Sequence, residues 1–380
     1  MIKEYKRDIE QHIKDRLFEA GKVIVLYGPR QVGKTTLSKK ILKEYSSEKG
    51  YFNCEDSSVT AALLSYSAAT MRGFFGDSRI VVLDEAQAVT NIGRALKILI
   101  DAYPEMNIIA TGSSSFDLAN KINEPFTGRH YEYFLYPISF NEIAEADGNR
   151  ALFENINSRL IFGSYPEILS AASFNDAREK LSSLATSYLY RDVFKFQNIK
   201  NPDVLTKILR ALAHQVGGEV SYNEIANLVG IDKNTVMRYI RLLEQAFIIF
   251  RLSSFCRNLR NEIKRSQKIY FYDNGIISAL TGNYNDASTG RDIGGLWENL
   301  MIGERLKYNQ RHKLHKSLYF WRIKGAGEID LVEEGNGLLR PFEFKWSKDK
   351  AGASARRFQE EYNSEQTHVV NKENFLDFVR

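Results

Sequence analysis

Residues 28 to 35 read Gly28-Pro29-Arg30-Gln31-Val32-Gly33-Lys34-Thr35, with the spacing G-x-x-x-x-G-K-T. Glycines at those two places let backbone N–H groups curl round phosphate oxygens, and a helix beginning at the lysine points its dipole at the same spot. Lys34 supplies a point charge to the β- and γ-phosphates, and Thr35 a hydroxyl to Mg²⁺. Gly28 to Thr36 is therefore the expected seat of ATP. The flanks suit it: Val23 to Tyr27 is a β-branched run fit for a buried strand, and Thr36 to Tyr45 has helix-forming residues without Gly or Pro.

Hydrolysis also needs acids. Apolar segments at Tyr51-Phe52, Arg79 to Leu83, Asn107 to Thr111 and Tyr131 to Leu135 alternate with helical stretches, as in a parallel α/β sheet. The segment Val81-Val82-Leu83-Asp84-Glu85 delivers two carboxylates to a strand end. Asp84 is expected to hold Mg²⁺, directly or through water, and Glu85 to orient or deprotonate the attacking water. After the next strand, Ser113 or Ser114 is the candidate γ-phosphate sensor.

These motifs resemble those of the AAA+ ATPases, and within them a widespread prokaryotic family with motifs GPRQVGKTTL, LDEAQ and TGSSS. They stand here at Gly28–Leu37, Leu83–Gln87 and Thr111–Ser115. The resemblance implies an arginine finger before the fifth strand, which reaches a neighbouring subunit's nucleotide and so implies a homo-oligomer. Arg129 stands at the matching position, where pairing with a nearby acid is the competing role. Asn53 matches a polar residue that restrains the catalytic glutamate in some members. Residues from Pro137 to about Lys200 turn helical and suit a lid, in which Arg191 either contacts phosphate or pairs with an acid.

Charge is concentrated further on. Between Lys233 and Lys268 nine basic residues face two acids, a net +7 in a chain whose total is +5. That imbalance points to a polyanion. Ser221-Tyr222-Asn223-Glu224 has capping-box spacing, and its helix stops at Gly230; a second helix starts near Asp232. Strands at Phe247–Leu252 and Lys268–Tyr272 complete a winged helix-turn-helix outline. Lys233, Asn234, Thr235 and Arg238 are expected to face DNA from the second helix. Arg257 and Arg260 are expected to meet phosphates from the turn between the strands. Docking of a protein partner is the other use of such a module.

The last hundred residues carry a second acidic set. Trp297-Glu298-Asn299-Leu300 opens an amphipathic helix, and strands at Leu318–Trp321, Ile329–Val332 and Pro341–Trp346 precede a helix at Arg356–Tyr362 and a strand at His368–Val370. This order resembles the PD-(D/E)xK nuclease fold of restriction endonucleases. Asp330 and Glu343-Phe344-Lys345 match D…E-x-K, and Glu298 matches the helix-borne acid. Strand alternation puts Glu343 and Lys345 on one face. Asp330 and Glu343 are then expected to share Mg²⁺ while Lys345 activates water or stabilises the transition state. Two carboxylates about 4 Å apart repel by about 4 kcal/mol at an effective dielectric of 20, so a cation, metal or Lys345, must lie between them. Glu328 is a competing acid on the same side as Asp330.

The 380 residues exceed one hydrophobic core, and 43% apolar with 26% charged residues excludes a disordered or membrane-embedded class. No apolar run suits a membrane span, two cysteines argue no disulfide framework, and a cytoplasmic location is expected. Ile2, Tyr5, Ile9, Ile13 and Leu17 form an amphipathic stripe laid on the ATPase core. The expected architecture is α/β: a P-loop AAA+ core (1–140), a helical lid (141–205), a winged helix-turn-helix (206–280) and a nuclease-like α/β domain (281–380). The expected function is ATP hydrolysis on or with DNA, with a possible Mg²⁺-dependent nuclease. The alternative is an ATP-gated regulatory switch whose last domain is inactive.

Overall fold

The computed structural model describes residues 3–45, 48–113, 128–188, 202–257, 266–285, 293–323, 327–347 and 350–380. The chain divides into two compact units, Lys6–Pro137 with Gln245–Phe247, and Met1–Tyr5 with Ile138–Glu244 and Ile248–Arg380.

In the first unit, α1 (Glu10–Leu17) precedes β1 (Val23–Tyr27), α2 (Lys34–Tyr45), β2 (Tyr51–Asn53), α3 (Ser57–Leu64), α4 (Ala68–Phe75), β3 (Ile80–Asp84), α5 (Ile92–Ala102), β4 (Asn107–Gly112) and β5 (His130–Phe134). The strands form one sheet in the order β2-β3-β4-β1-β5, and every pairing is parallel. All residues of β1 and β3 are buried, as expected of parallel strands covered on both faces. The N-terminal helix is shorter than the apolar stripe suggests: Ile9, Ile13 and Leu17 are buried, Tyr5 falls to the second unit, and Ile2 lies outside the described residues. The motifs at the ends of β1, β3 and β4 meet at the carboxyl edge, where ligands bind in open parallel sheets.

The second unit opens with helices α6 (Phe140–Asp147), α7 (Asn149–Glu154), α8 (Ile156–Phe162), α9 (Pro166–Leu169) and α10 (Phe174–Tyr188). Then come α11 (Pro202–His214), the two-residue strand β6 (Glu219–Val220), α12 (Tyr222–Val229), α13 (Lys233–Gln245), β7 (Ile249–Ser254), β8 (Gln267–Phe271) and α14 (Asn274–Thr281). Ser221 caps α12 by accepting the Glu224 N–H, and Gly230 ends it with φ 77°. The chain continues through α15 (Ile293–Arg311), β9 (Ser317–Ile323), β10 (Gly327–Gly335), β11 (Leu338–Phe344), α16 (Ala353–Tyr362), β12 (His368–Val370) and α17 (Phe375–Val379).

Among the described residues, seven strands form one sheet in the order β12-β11-β10-β9-β7-β8-β6. The sheet runs across the boundary expected at residue 280, because β7 pairs with β9 in parallel through Ser253–Tyr319 and Ser254–Phe320. Nor is α15 amphipathic: Glu298, Glu304, Arg305 and Lys307 are buried along with its apolar residues. The helix is enclosed by β8, β11, α8, α14 and α17, so its charges pair internally, Arg305 with Glu333 at 2.7 Å and Lys307 with Glu304 at 2.6 Å.

Candidate active sites

The phosphate loop of the first unit takes its shape from Gly28 (φ 145°), Gln31 (φ 58°) and Gly33 (φ 98°). A Cβ on Gly28 would lie 2.2 Å from the Leu135 carbonyl oxygen, so no other residue fits there. Pro29 and Val32 are buried, Arg30 and Gly33 half-buried, and Gln31 and Thr36 exposed. The buried Lys34 Nζ donates to the carbonyls of Gly28 (2.8 Å) and Pro29 (2.6 Å). From outside the motif, Arg7 braces the loop, donating to the Val32 carbonyl at 2.6 Å and the Tyr136 carbonyl at 2.5 Å.

Asp84 accepts hydrogen bonds from Thr35 Oγ1 (2.8 Å) and the Tyr51 hydroxyl (2.6 Å) on Oδ2, and from Thr111 Oγ1 on Oδ1. Burial, reinforced by the bond to Asp84, raises the Tyr51 phenol above its ordinary range. The Thr35 hydroxyl and Asp84 carboxylate form an oxygen donor set that fits Mg²⁺. Glu85 adopts the left-handed conformation, φ 53° and ψ 42°, a strained state for a non-glycine residue. Its N–H donates to Thr111 Oγ1 at 3.2 Å, and its carboxylate accepts from Gln87 and from Ser113 Oγ (3.4 Å). Ser113 thus stands beside Glu85, whereas Ser114 lies outside the described residues.

Arg129 is half-exposed and pairs with Asp101 at 2.9 Å, the nearby-acid alternative. Asn53 is paired in register with Asp84, but its side chain accepts the Glu55 N–H at 3.0 Å. Arg191 lies outside the described residues. Tyr51, Thr111 and Arg7 were not anticipated. Thr111 opens the TGSSS motif, but nothing in one sequence shows which of its hydroxyls turns towards Asp84.

The second unit assembles the D…E-x-K set. Lys345 Nζ lies 3.7 Å from Asp330 Oδ2 and 3.6 Å from Glu343 Oε2. The Phe344 N–H donates to Asp330 at 2.8 Å, and the Gly352 N–H to Glu343 at 3.0 Å. β9 and β10 shift register between Ile329 and Val332, an irregularity of the kind that re-aims side chains next to sites. Two carboxylates converging on one ammonium define a position that stabilises a cation, and their oxygens fit Mg²⁺. Among the described residues, no group of three or more His, Cys, Asp or Glu is gathered as a metal site.

Glu298 belongs to the same neighbourhood but is tied to β8. It accepts from Lys268 Nζ at 2.9 Å and from the Tyr270 hydroxyl at 2.6 Å. Burial, with the Asp330 charge adding to it, pushes the Glu298 carboxyl up to about 7 against the pull of Lys268. Burial also raises Asp330, opposed by Lys345 and Lys268. For Lys268, burial disfavours the ammonium, but Glu298, Glu328 and Asp330 together outweigh it and raise its value. Glu328 pairs with Lys268 and with Arg322.

On α13, Lys233, Asn234 and Arg238 are exposed, while Val236, Tyr239, Ile240 and Leu243 are buried. Thr235 is occupied at the helix start, its N–H and hydroxyl both donating to Asp232. Arg257 donates to the Tyr362 carbonyl at 3.0 Å, and Arg260 lies outside the described residues.

Residues 20–144 match a family model described as an AAA domain. Residues 153–287 match a domain of unknown function (DUF8612), a span covering most of the expected lid and the expected winged helix. Residues 293–378 match a second domain of unknown function (DUF4143). An uncharacterized protein of Mycobacterium tuberculosis is 27% identical over 344 residues, which are 90% of this chain and 74% of that one. An uncharacterized protein of Methanocaldococcus jannaschii is 25% identical over 331 residues, 82% of this chain and 72% of its own. Among solved structures, a signal transduction ATPase with numerous domains from Pyrococcus horikoshii aligns with TM-score 0.28 at 12% identity, over 80% of this chain and 47% of that one. AMPPCP-bound DnaA from Aquifex aeolicus aligns with TM-score 0.28 at 16% identity, over 62% of this chain and 86% of that one. No helix among the described residues is long and apolar enough to cross a membrane. The AAA domain match, together with the DUF4143 match, supports a prokaryotic AAA-type ATPase that binds ATP.

Proposed function

We propose that the chain hydrolyses ATP in an AAA+ core and acts on or with DNA, with Asp330, Glu343 and Lys345 as a Mg²⁺-dependent nuclease site. The carrying observation is the convergence of Lys34, Thr35, Asp84, Glu85 and Ser113 at the carboxyl ends of three adjacent strands. Lys34 would turn from its loop carbonyls to the phosphates, Glu85 would take the proton of the attacking water, and Ser113 would report the γ-phosphate. Mg²⁺ held by Thr35 and Asp84 would neutralise charge on the phosphates. Arg129 stands half-exposed, where it would serve as a finger in a homo-oligomer.

The order α11-β6-α12-α13-β7-β8, with β6 paired to β8, supports a winged helix, and the exposed Lys233, Asn234 and Arg238 support DNA as its partner. In the last domain, Mg²⁺ held by Asp330 and Glu343 would polarise a scissile phosphate while Lys345 steadies the charge that develops on it. Turnover of ATP by purified protein should rise with duplex DNA and lose that rise as salt increases. Turnover indifferent to DNA at low salt sinks the DNA reading and leaves a protein-remodelling ATPase.

One observation favours an ATP-gated switch with an inactive last domain: ammonium groups of Lys345 and Lys268 already stand against the carboxylates. Incubation with DNA, ATP and Mg²⁺ or Mn²⁺ separates the two. Cleavage by wild type that Lys345→Ala loses supports the nuclease, and no cleavage by either supports the switch.

A further inference from the structure

Lys268 stands outside the D…E-x-K positions, on β8, thirty residues before Glu298 in the chain. Its side chain is 1% exposed, with Nζ 2.9 Å from Glu298 Oε1 and also paired with Glu328. Two residues along the strand, Tyr270 donates to the same Glu298 oxygen. The Phe320 ring lies 5.4 Å from the ammonium, and a Cβ on Gly217 would come within 3.1 Å of Glu298 Oε2. The ammonium is thus buried beside an aromatic ring, where it persists only if carboxylates pair with it. Four acids and two lysines divide evenly: Lys345 serves Asp330 and Glu343, and Lys268 serves Glu298 and Glu328. Arg322, 3.6 Å from Glu328, is exposed and screened by water.

We infer that Lys268 is the internal counter-ion of this acid cluster, a positioning residue that holds Glu298 and Glu328 beside Asp330 and competes with a divalent cation for their charge. The inference rests on the reading of Asp330 and Glu343 as metal ligands and goes beyond it, because it assigns a residue contributed by the hairpin β7–β8. With the ammonium gone, Glu298 and Glu328 lose their nearest cation beside Asp330, and a divalent ion is the strongest replacement.

The test is calorimetric titration of the full chain with Mn²⁺ alone, without DNA or nucleotide. All variants carry Asp84→Asn, so that the first unit's site stays silent. Lys268→Met should bind Mn²⁺ roughly tenfold or more tightly than the Lys268 chain. Lys268→Arg should match the Lys268 chain, and adding Glu328→Gln to Lys268→Met should cancel most of the gain. Equal or weaker binding by Lys268→Met overturns the inference. Should Lys268→Met be too unstable to titrate, melting temperatures decide. Mn²⁺ should then raise the melting temperature of Lys268→Met more than that of the Lys268 chain, and Glu328→Gln should restore stability to the Lys268→Met chain without metal. An equal Mn²⁺ shift, or a further loss with Glu328→Gln, overturns the inference. Nuclease failure is distinguishable: a wild type that binds Mn²⁺ and cuts no DNA ends that reading alone.

Discussion

Asp84 and Glu298 are both buried carboxylates facing a lysine-bearing neighbourhood, yet their partners differ in kind. Asp84 is held by three hydroxyls, from Thr35, Tyr51 and Thr111. Glu298 is held by an ammonium and a phenol. The lysines follow suit: Lys34 rests on backbone carbonyls, whereas Lys268 and Lys345 rest on carboxylates. Neutral partners satisfy a buried charge without cancelling it. The first site thus holds its acid through neutral hydroxyls, the arrangement that the proposed triphosphate and its metal would use. The second is balanced from within, and an incoming cation must displace what is already there.

Substitutions that strike this contrast should differ in size. Lys34→Ala removes a buried charge from the first site, and ATP turnover should fall by about a hundredfold or more in a steady-state assay. An unimpaired rate would mean that Lys34 is structural. Lys268→Met leaves buried carboxylates without their cation and should cost about 3–5 kcal/mol in urea denaturation. Thr111→Val is the matched change in the first unit; it strips a neutral donor from Asp84 and should cost about 1–3 kcal/mol. Equal losses would erase the distinction between charged and neutral partners.

The balance of the second cluster should also depend on pH. Burial holds the Glu298 carboxyl at about 7 in the folded chain, above its ordinary 4.5. A raised carboxyl contributes stability that is complete below the unfolded value and is lost as pH rises through the folded one. Unfolding free energy should therefore carry a decline between pH 4.5 and 7 that Glu298→Gln flattens. The smallest effect belongs to Arg129→Ala, about 0–1 kcal/mol for its exposed pair with Asp101. If turnover nonetheless drops, and only at concentrations where copies associate, the finger role holds.

The elements that position the first site were readable because both faces of their strands are apolar and their ends are marked by glycine and acid. β1 falls on Val23–Tyr27 as expected, and β12 on His368–Val370. Asp330, Glu343 and Lys345 come together for the same reason, since strand alternation is a local property. What escaped was long-range. Lys268 counts as one more basic residue until the fold shows β8 delivering it to Glu298 and Glu328. The pairing of β7 with β9 joins segments more than sixty residues apart, and nothing in either strand's own pattern specifies that neighbour. The buried charges of α15 made it look like a surface helix, because composition cannot tell a solvated charge from a paired one.

Arg7 carries a consequence for where the nucleotide-binding part of this chain starts. The matched AAA segment begins at residue 20, yet the guanidinium that ties the loop at Val32 to the strand exit at Tyr136 comes from thirteen positions earlier. A fragment cut to the matched limits would keep every motif residue and lose the clasp that keeps the cradle in shape. Its weakened grip on ATP would then report the missing arm rather than a flaw in the motif.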